Sequence, residues 1–416
     1  MRSQVQNFRL ASSALCLVLT MITLSTTVSA DAVTDWNART VTYAAGGGRP
    51  GPSWVLDVAV VQAAVYDAVQ AIEGDYQPYC GAIPGASGSS TAAAAKAARD
   101  VLVNRFPGQA AVISGDYDAY IAGIDPTDPG FAVGQAAAQC MIALRANDGS
   151  FPSMWPAFVG GTGVGEWRPV ASGAWTFSWL PDVTPFTMSS ATQFRVGPPP
   201  ALDSPEYTEA YNEVKNLGSA TGSTRTPEQT DMAHFWNGSF PGQMNKLPRD
   251  LAIANALSIS ESSRLLALVD LSIADSAIAA WDCKRFYNFW RPITAIRLGD
   301  SDGNDKTDGD DTWTPLVPTP PYSDYTSGAN NFVASATRAM SLYFGTNEMG
   351  FQIATTNPGP TQVDIRSYSR FSEVRDEVED VRILEGIHFR FADVTARKQG
   401  QRIAQWANAH YFRPMK

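Results

Sequence analysis

Histidine and cysteine are the scarce residues of this chain, with 3 His and 4 Cys among 416 positions. So few histidines exclude a zinc centre built from several His-rich clusters. So few cysteines in so long a chain exclude a disulfide-stapled scaffold. Positive charge is also short: 31 Lys and Arg stand against 41 Asp and Glu, for a net charge of −10. That balance argues against a general nucleic-acid binder, which needs a basic face. Convincing runs of alternating apolar and polar residues are missing too, so no strand is predicted. Apolar residues, at 44%, are plentiful. They suffice for a large core and exclude a disordered tail. The length allows one large domain or two to three smaller ones.

Residues 1–30 read as a secretory signal. Arg2 and Arg9 make a basic start, an apolar run extends from about Leu10 to Val28, and Val28-Ser29-Ala30 offers small residues for cleavage. The run is short and diluted by Ser and Thr for a stable membrane span. A secreted or periplasmic protein, with no membrane association after cleavage, is the expectation. Cleavage leaves 29 bases against 41 acids, or −12. It also leaves Cys80, Cys140 and Cys283. An oxidising compartment permits one disulfide, and Cys80 with Cys140 is the candidate pair; the sequence leaves open whether they join. Cys283 reads as a buried small hydrophobe.

The rest of the chain is mainly helical in character. Ser53–Ile72 is nearly all apolar and reads as a buried helix. Residues 90–106 are Ala-rich, and Phe131–Asn147 repeats that character. Asp148–Pro200 is rich in Gly, Pro, Trp and Phe. It is too aromatic for a flexible linker and is expected to wrap on the core. Ser204-Pro205 and Thr226-Pro227 are helix-start signals. Arg249–Asn288 has room for two long helices, and Thr326–Phe344 and Glu373–Tyr411 continue the pattern. The expected fold is all-α, packed helical bundles with long irregular connecting loops. Residues 299–313 are acidic, and Asp300, Asp302 and Asn304 match the first calcium-loop positions. Asp305 then stands where the sharp turn wants Gly, and Asp311 is shorter than the usual bidentate Glu. A solvated surface loop is the preferred reading.

Three further segments suggest an anion site. Lys284 and Arg291 lie seven residues apart in WDCKRFYNFWRP, two helical turns, and Pro292 puts Arg291 at or beyond the helix end. Burying two cations among aromatics is costly unless an anion lies between them. Ser327-Gly328 opens a helical run after a proline cluster, and a helix start offers N–H groups to an anion. Arg382 precedes His388 by six residues, with Gly386 between them. Taken singly, each segment reads as ordinary packing, capping or a satisfied core histidine.

Together, Lys-x6-Arg-Pro, Ser-Gly at a helix start and Arg-x5-His resemble the vanadium-dependent haloperoxidases, whose superfamily includes the type 2 phosphatidic acid phosphatases. DAVTDWNARTV, AAVYDAVQAIEGDYQPY, GEWRP, TPFTMSSATQFR, GPPPALDSPEY, RTPEQTDMAHFW and GIHFRFAD resemble the secreted bacterial branch, so the likeness runs from Asp31 to Phe412. The resemblance implies an all-α fold with one anion site, over a single domain at 31–416. Within it, 31–200 would hold N-terminal helices and the wrapping loop, and 201–416 a C-terminal bundle with the site. It implies that Lys284, Arg291, Arg382, Ser327 and the N–H of Gly328 bind vanadate or phosphate. His388 would be the axial vanadium ligand, or the nucleophile of a phosphatase. Fixed cations suit a trianionic oxyanion because charge-assisted hydrogen bonds are the strong ones. Trp281, one turn before Lys284, is expected on the pocket wall.

One departure matters. The family pattern is Pro-Ser-Gly-His, and this chain has Thr326-Ser327-Gly328-Ala329. The missing His is the family's acid/base, and such groups contribute typically about 10²–10⁴-fold. His234 and His410 read as packing or surface residues; Tyr322, Asp324 and Tyr325 lie just upstream of the anion loop. Three readings follow: a haloperoxidase using hydrogen peroxide, halide and an organic acceptor; an acid phosphatase acting through His388; or a non-catalytic oxyanion-binding homologue.

Overall fold

The computed structural model describes residues 30–49, 51–151, 160–170, 175–238 and 240–415. The segment read as a secretory signal lies, up to residue 29, outside the described residues, as do parts of the segment expected to wrap at 152–159 and 171–174. The described chain is helical apart from one two-stranded sheet. Its N-terminal half holds α1 (Ala32–Gly46), α2 (Trp54–Glu73), α3 (Ser90–Arg105), α4 (Ala110–Ile121) and α5 (Gly130–Arg145). The remainder holds α6 (Pro205–Leu217), α7 (Pro227–Trp236), α8 (Phe240–Ala254), α9 (Ile259–Tyr287), α10 (Pro292–Arg297), α11 (Gly328–Phe344), β1 (Glu348–Ala354), β2 (Ile365–Arg370), α12 (Phe371–Leu384) and α13 (Arg390–His410). The all-α class read from the sequence therefore holds.

Local chemistry accounts for the helix ends. Ser204 and Thr226 cap α6 and α7 through their side chains, each with Pro at the first helical position. A capping box of Ser258 and Glu261 starts α9, and Asn288 ends it in the left-handed conformation at φ 47°. Gly74 ends α2 in the same way at φ 76°.

Two expectations need correction. Arg249–Asn288 does not hold two long helices. Its first residues finish α8, the chain breaks at Asn255–Leu257, and α9 then runs 29 residues without interruption. The capping box at Ser258 overrides the uniform apolar content on either side. The hairpin of β1 and β2 was also not foreseen. It is antiparallel, with Phe351 opposite Tyr368, and most of its positions face solvent. Ten residues separate its strands, so the short turn that marks a hairpin in sequence is missing.

Helix α9 is the axis of the molecule. It packs against α1, α2, α8, α11 and α13, and Leu265–Lys284 are buried all round. A helix apolar on every face belongs in a core. Helix α2 is long and apolar enough to cross a membrane by length and composition, but it is packed inside the helices. The described part of the wrapping segment lies on this core, with Trp175, Trp179 and Phe186 buried. Asp275 of α9 holds it there. Its carboxylate accepts from the amides of Phe186 (2.7 Å), Thr187 (2.7 Å) and Met188 (3.1 Å), and from the Thr187 hydroxyl (2.5 Å). Cys80 and Cys140 are bonded, joining the segment after α2 to α5, and Cys283 is free and buried. In the acidic loop, Asp300 and Asp302 accept from nearby amides and the Thr307 hydroxyl, as turn carboxylates do.

Candidate active site at the end of helix α9

The candidate residues come from three breaks between helices. Lys284 occupies the last turn of α9. Arg291 lies past the Asn288 break, in extended backbone at the start of α10. The two cations thus meet across a chain reversal rather than on one helical face. Arg382 ends α12, and His388 sits in the short connection to α13. That connection turns at Gly386, at φ +80°. A side chain there would strike the Gly218 carbonyl at 2.4 Å, so only glycine lets the two backbones approach. Ser327 and Gly328 open α11, whose N-terminus no side chain caps.

Arg291 and His388 are in direct contact. Arg291 Nη1 lies 3.0 Å from His388 Nε2 and donates to the Ile387 carbonyl at 2.6 Å, while its Nε donates to the Tyr322 carbonyl at 2.8 Å. Lys284 Nζ donates to the carbonyls of Ser323 and Asp324, both at 2.8 Å. Lys284 also lies 5.2 Å from the Tyr322 ring centroid. Arg382 pairs with Glu385. The Ser327 hydroxyl and the Asn330 amide both turn to Asp393 of α13, with Asn330 Nδ2 at 2.8 Å.

These groups surround a cavity of about 350 Å³. Gly328, Ala329, Arg382 and His388 line it, together with Trp54, Phe240, Trp281, Tyr322 and Phe332. Trp281 is on the wall, as its spacing from Lys284 suggested. Lys284, Arg291 and Ser327 are fully buried behind that lining. Tyr325 points away and donates to the Gly197 carbonyl. His410 stacks on Trp406, and His234 lies in α7, outside the lining. The methyl of Ala329 forms the wall at the position where the resemblance expects a histidine.

Three buried carboxylates, absent from the cation pattern, complete the cluster. Asp324 Oδ1 lies 2.7 Å from His388 Nδ1 and 3.8 Å from Arg291 Nη1. The histidine contact is bent from the ideal hydrogen-bond line, but neither atom has a better partner. Burial raises Asp324 to about 7 against the pull of Arg291 and Lys284. Burial likewise raises Glu385 to about 7 against Arg382, and lifts Asp393 well above the carboxylate range. Desolvation, with Arg291, Lys284 and Arg382 nearby, holds His388 well below its ordinary range. Desolvation, reinforced by Arg291, does the same to Lys284. Of the three acids, only Asp324 drew notice in the sequence, for its place beside the anion loop. Glu385 and Asp393 stand near Arg382 and His388 in the chain, but nothing in their spacing marked them.

Comparison with known proteins matches this architecture. Residues 264–416 match the model of the VCPO second helical-bundle domain. The vanadium chloroperoxidase of Curvularia inaequalis is 26% identical over 194 aligned residues. That alignment takes in 38% of this chain and only 31% of the relative's length. A crystal structure of the first bacterial vanadium-dependent iodoperoxidase superposes with a TM-score of 0.77 at 21% identity, covering 92% of this chain and 97% of that one. The holo form of a bacterial vanadium-dependent chloroperoxidase gives 0.69 at 17%, covering 86% and 92%. In fold, and over residues 264–416 in sequence, the chain is similar to the vanadium haloperoxidases. The donors here fit a tetrahedral oxyanion. Arg291 Nη2 and Arg382 Nε are buried without an acceptor, and the N-terminus of α11 is uncapped beside them. At Gly328 a side chain would press on the Trp281 ring at 3.0 Å, so glycine keeps the helix start open to the cavity.

Proposed function

We propose that this chain is a secreted, vanadate-binding haloperoxidase that oxidises halide with hydrogen peroxide and passes the product to an organic acceptor. The observation that carries this reading is the convergence of Arg382, His388 and the open start of α11 on one cavity, backed by buried Lys284 and Arg291. His388 Nε2 would bind the metal. The guanidinium groups, Lys284 and the Gly328 amide would hold its oxygens, and Ser327 would join them by turning from Asp393. Vanadate, when bound, supplies a Lewis acid that activates peroxide without itself changing oxidation state. The aromatic walls of the cavity leave room beside this centre for an organic acceptor. Ala329 cannot move a proton, so turnover is slow unless solvent does so. Residues 1–30 export the enzyme to the periplasm or beyond. Reconstitution with orthovanadate, followed by a bromination assay with bromide and peroxide, tests the reading. Activity no higher than that of His388→Ala would sink it.

A second reading has its own support in Ala329 and in the three carboxylates that stand beside the three basic side chains: a homologue that binds oxyanions without turnover. Calorimetry would then detect orthovanadate or phosphate binding, with neither bromination nor phosphate release from an aryl phosphate.

A further inference from the structure

The hydrogen-bond assignment around His388 has one solution. Arg291 Nη1 lies 3.0 Å from Nε2, and a guanidinium can only donate, so Nε2 presents its lone pair. The proton of the neutral ring then sits on Nδ1, facing Asp324 Oδ1 at 2.7 Å. Asp324 is fully buried and does not line the cavity, so it touches no ligand there. Its backbone is pinned on both sides: its amide donates to the Phe289 carbonyl at 2.9 Å, and its carbonyl accepts from Lys284 Nζ at 2.8 Å. The chain itself thereby holds the carboxylate against the Nδ1 edge of the imidazole, at a bent contact that is the nearest either atom has.

We propose that Asp324 is a positioning residue for His388, holding the ring as the Nδ1–H tautomer so that Nε2 remains the electron-pair donor of the site. Carboxylates behind ligating histidines orient the ring and raise its donor strength, and their loss typically costs roughly 10–100-fold in metal affinity. The inference rests on the reading above for what Nε2 meets, but the tautomer can be measured separately.

With only three histidines, ring-¹⁵N labelling gives a spectrum of three imidazoles, and His388→Gln identifies the one that matters. In the full-length protein, His388 is expected to show a protonated Nδ1 and a bare Nε2. Asp324→Asn keeps an acceptor oxygen and should keep that tautomer. Asp324→Ala should convert the ring to Nε2–H or to an averaging mixture. Titration with orthovanadate should then move the Nε2 resonance, with a Kd roughly 10–100-fold weaker for the Ala variant than for the Asn variant, both of which lack the charge. An Nε2–H ring in the parent, or a tautomer indifferent to Asp324→Ala, would overturn the proposal. If Asp324→Ala does not fold, the parent spectrum decides. If the tautomers behave as expected but orthovanadate moves no resonance, Asp324 keeps its positioning role and the vanadate reading falls.

Discussion

Two carboxylates on neighbouring stretches of the core show how this protein divides structural from chemical work. Asp275, in the middle of α9, is fully buried and meets four donors, three of them backbone amides. Asp324, beside the last turn of the same helix, is as deeply buried but makes no well-aligned hydrogen bond. Around it, Arg291 Nη2 and Arg382 Nε also lack acceptors. A buried polar group left unsatisfied costs about 1–3 kcal/mol, so a fold tolerates a cluster of them only where something else is gained. The saturated carboxylate fastens a loop. The unsaturated cluster keeps donors ready for a ligand. Perturbed buried groups in a cavity are the usual mark of a functional site.

Four experiments can break or sharpen this contrast. The largest effect should come from the site. Ala329→His restores a proton-transfer group at the cavity wall, and vanadate-dependent bromination should rise by about 10²–10⁴-fold with little change in the urea midpoint. A change in stability without a gain in turnover would erase the contrast. Next is Asp275→Ala, which strands three backbone amides and should cost on the order of 5 kcal/mol by urea unfolding, while orthovanadate affinity of the folded protein is kept. Third, replacing Cys80 and Cys140 by Ala releases a crosslink spanning 60 residues, for a loss of about 4 kcal/mol in the same assay.

The smallest effect concerns pH. Glu385 has its folded value raised from 4.5 to about 7, chiefly by burial. A raised acid contributes stability that is complete below about 4.5 and is lost as pH rises through about 7. Glu385→Gln removes that loss but leaves Arg382 without its partner. The variant should therefore melt lower than the parent, by a margin that narrows as pH is raised from 4.5 towards 7. A margin that widens would place the charge of Glu385 on the stabilising side.

Lys284, Arg291, Ser327-Gly328, Arg382 and His388 were legible only together, through the likeness of their combined pattern to the haloperoxidase motif, since each segment alone reads as ordinary packing or capping. The helix starts at Ser204, Thr226 and Ser258 were legible by themselves, since capping is local. The hairpin was not legible, because mostly exposed strands carry little apolar alternation. Nor was the role of Asp324. It faces a histidine 64 positions away in the chain, and no periodicity links them.

Composition and helical patterning determined the fold class, because they depend on residue type and short-range order, and the family resemblance named the candidate site residues and the histidine that Ala329 replaces. Tertiary structure alone decided which of those residues face the cavity, which carboxylates stand beside the cations, and which nitrogen of His388 holds its lone pair. Those are matters of distance and desolvation between segments far apart in the chain, and they exist only once the helices have packed.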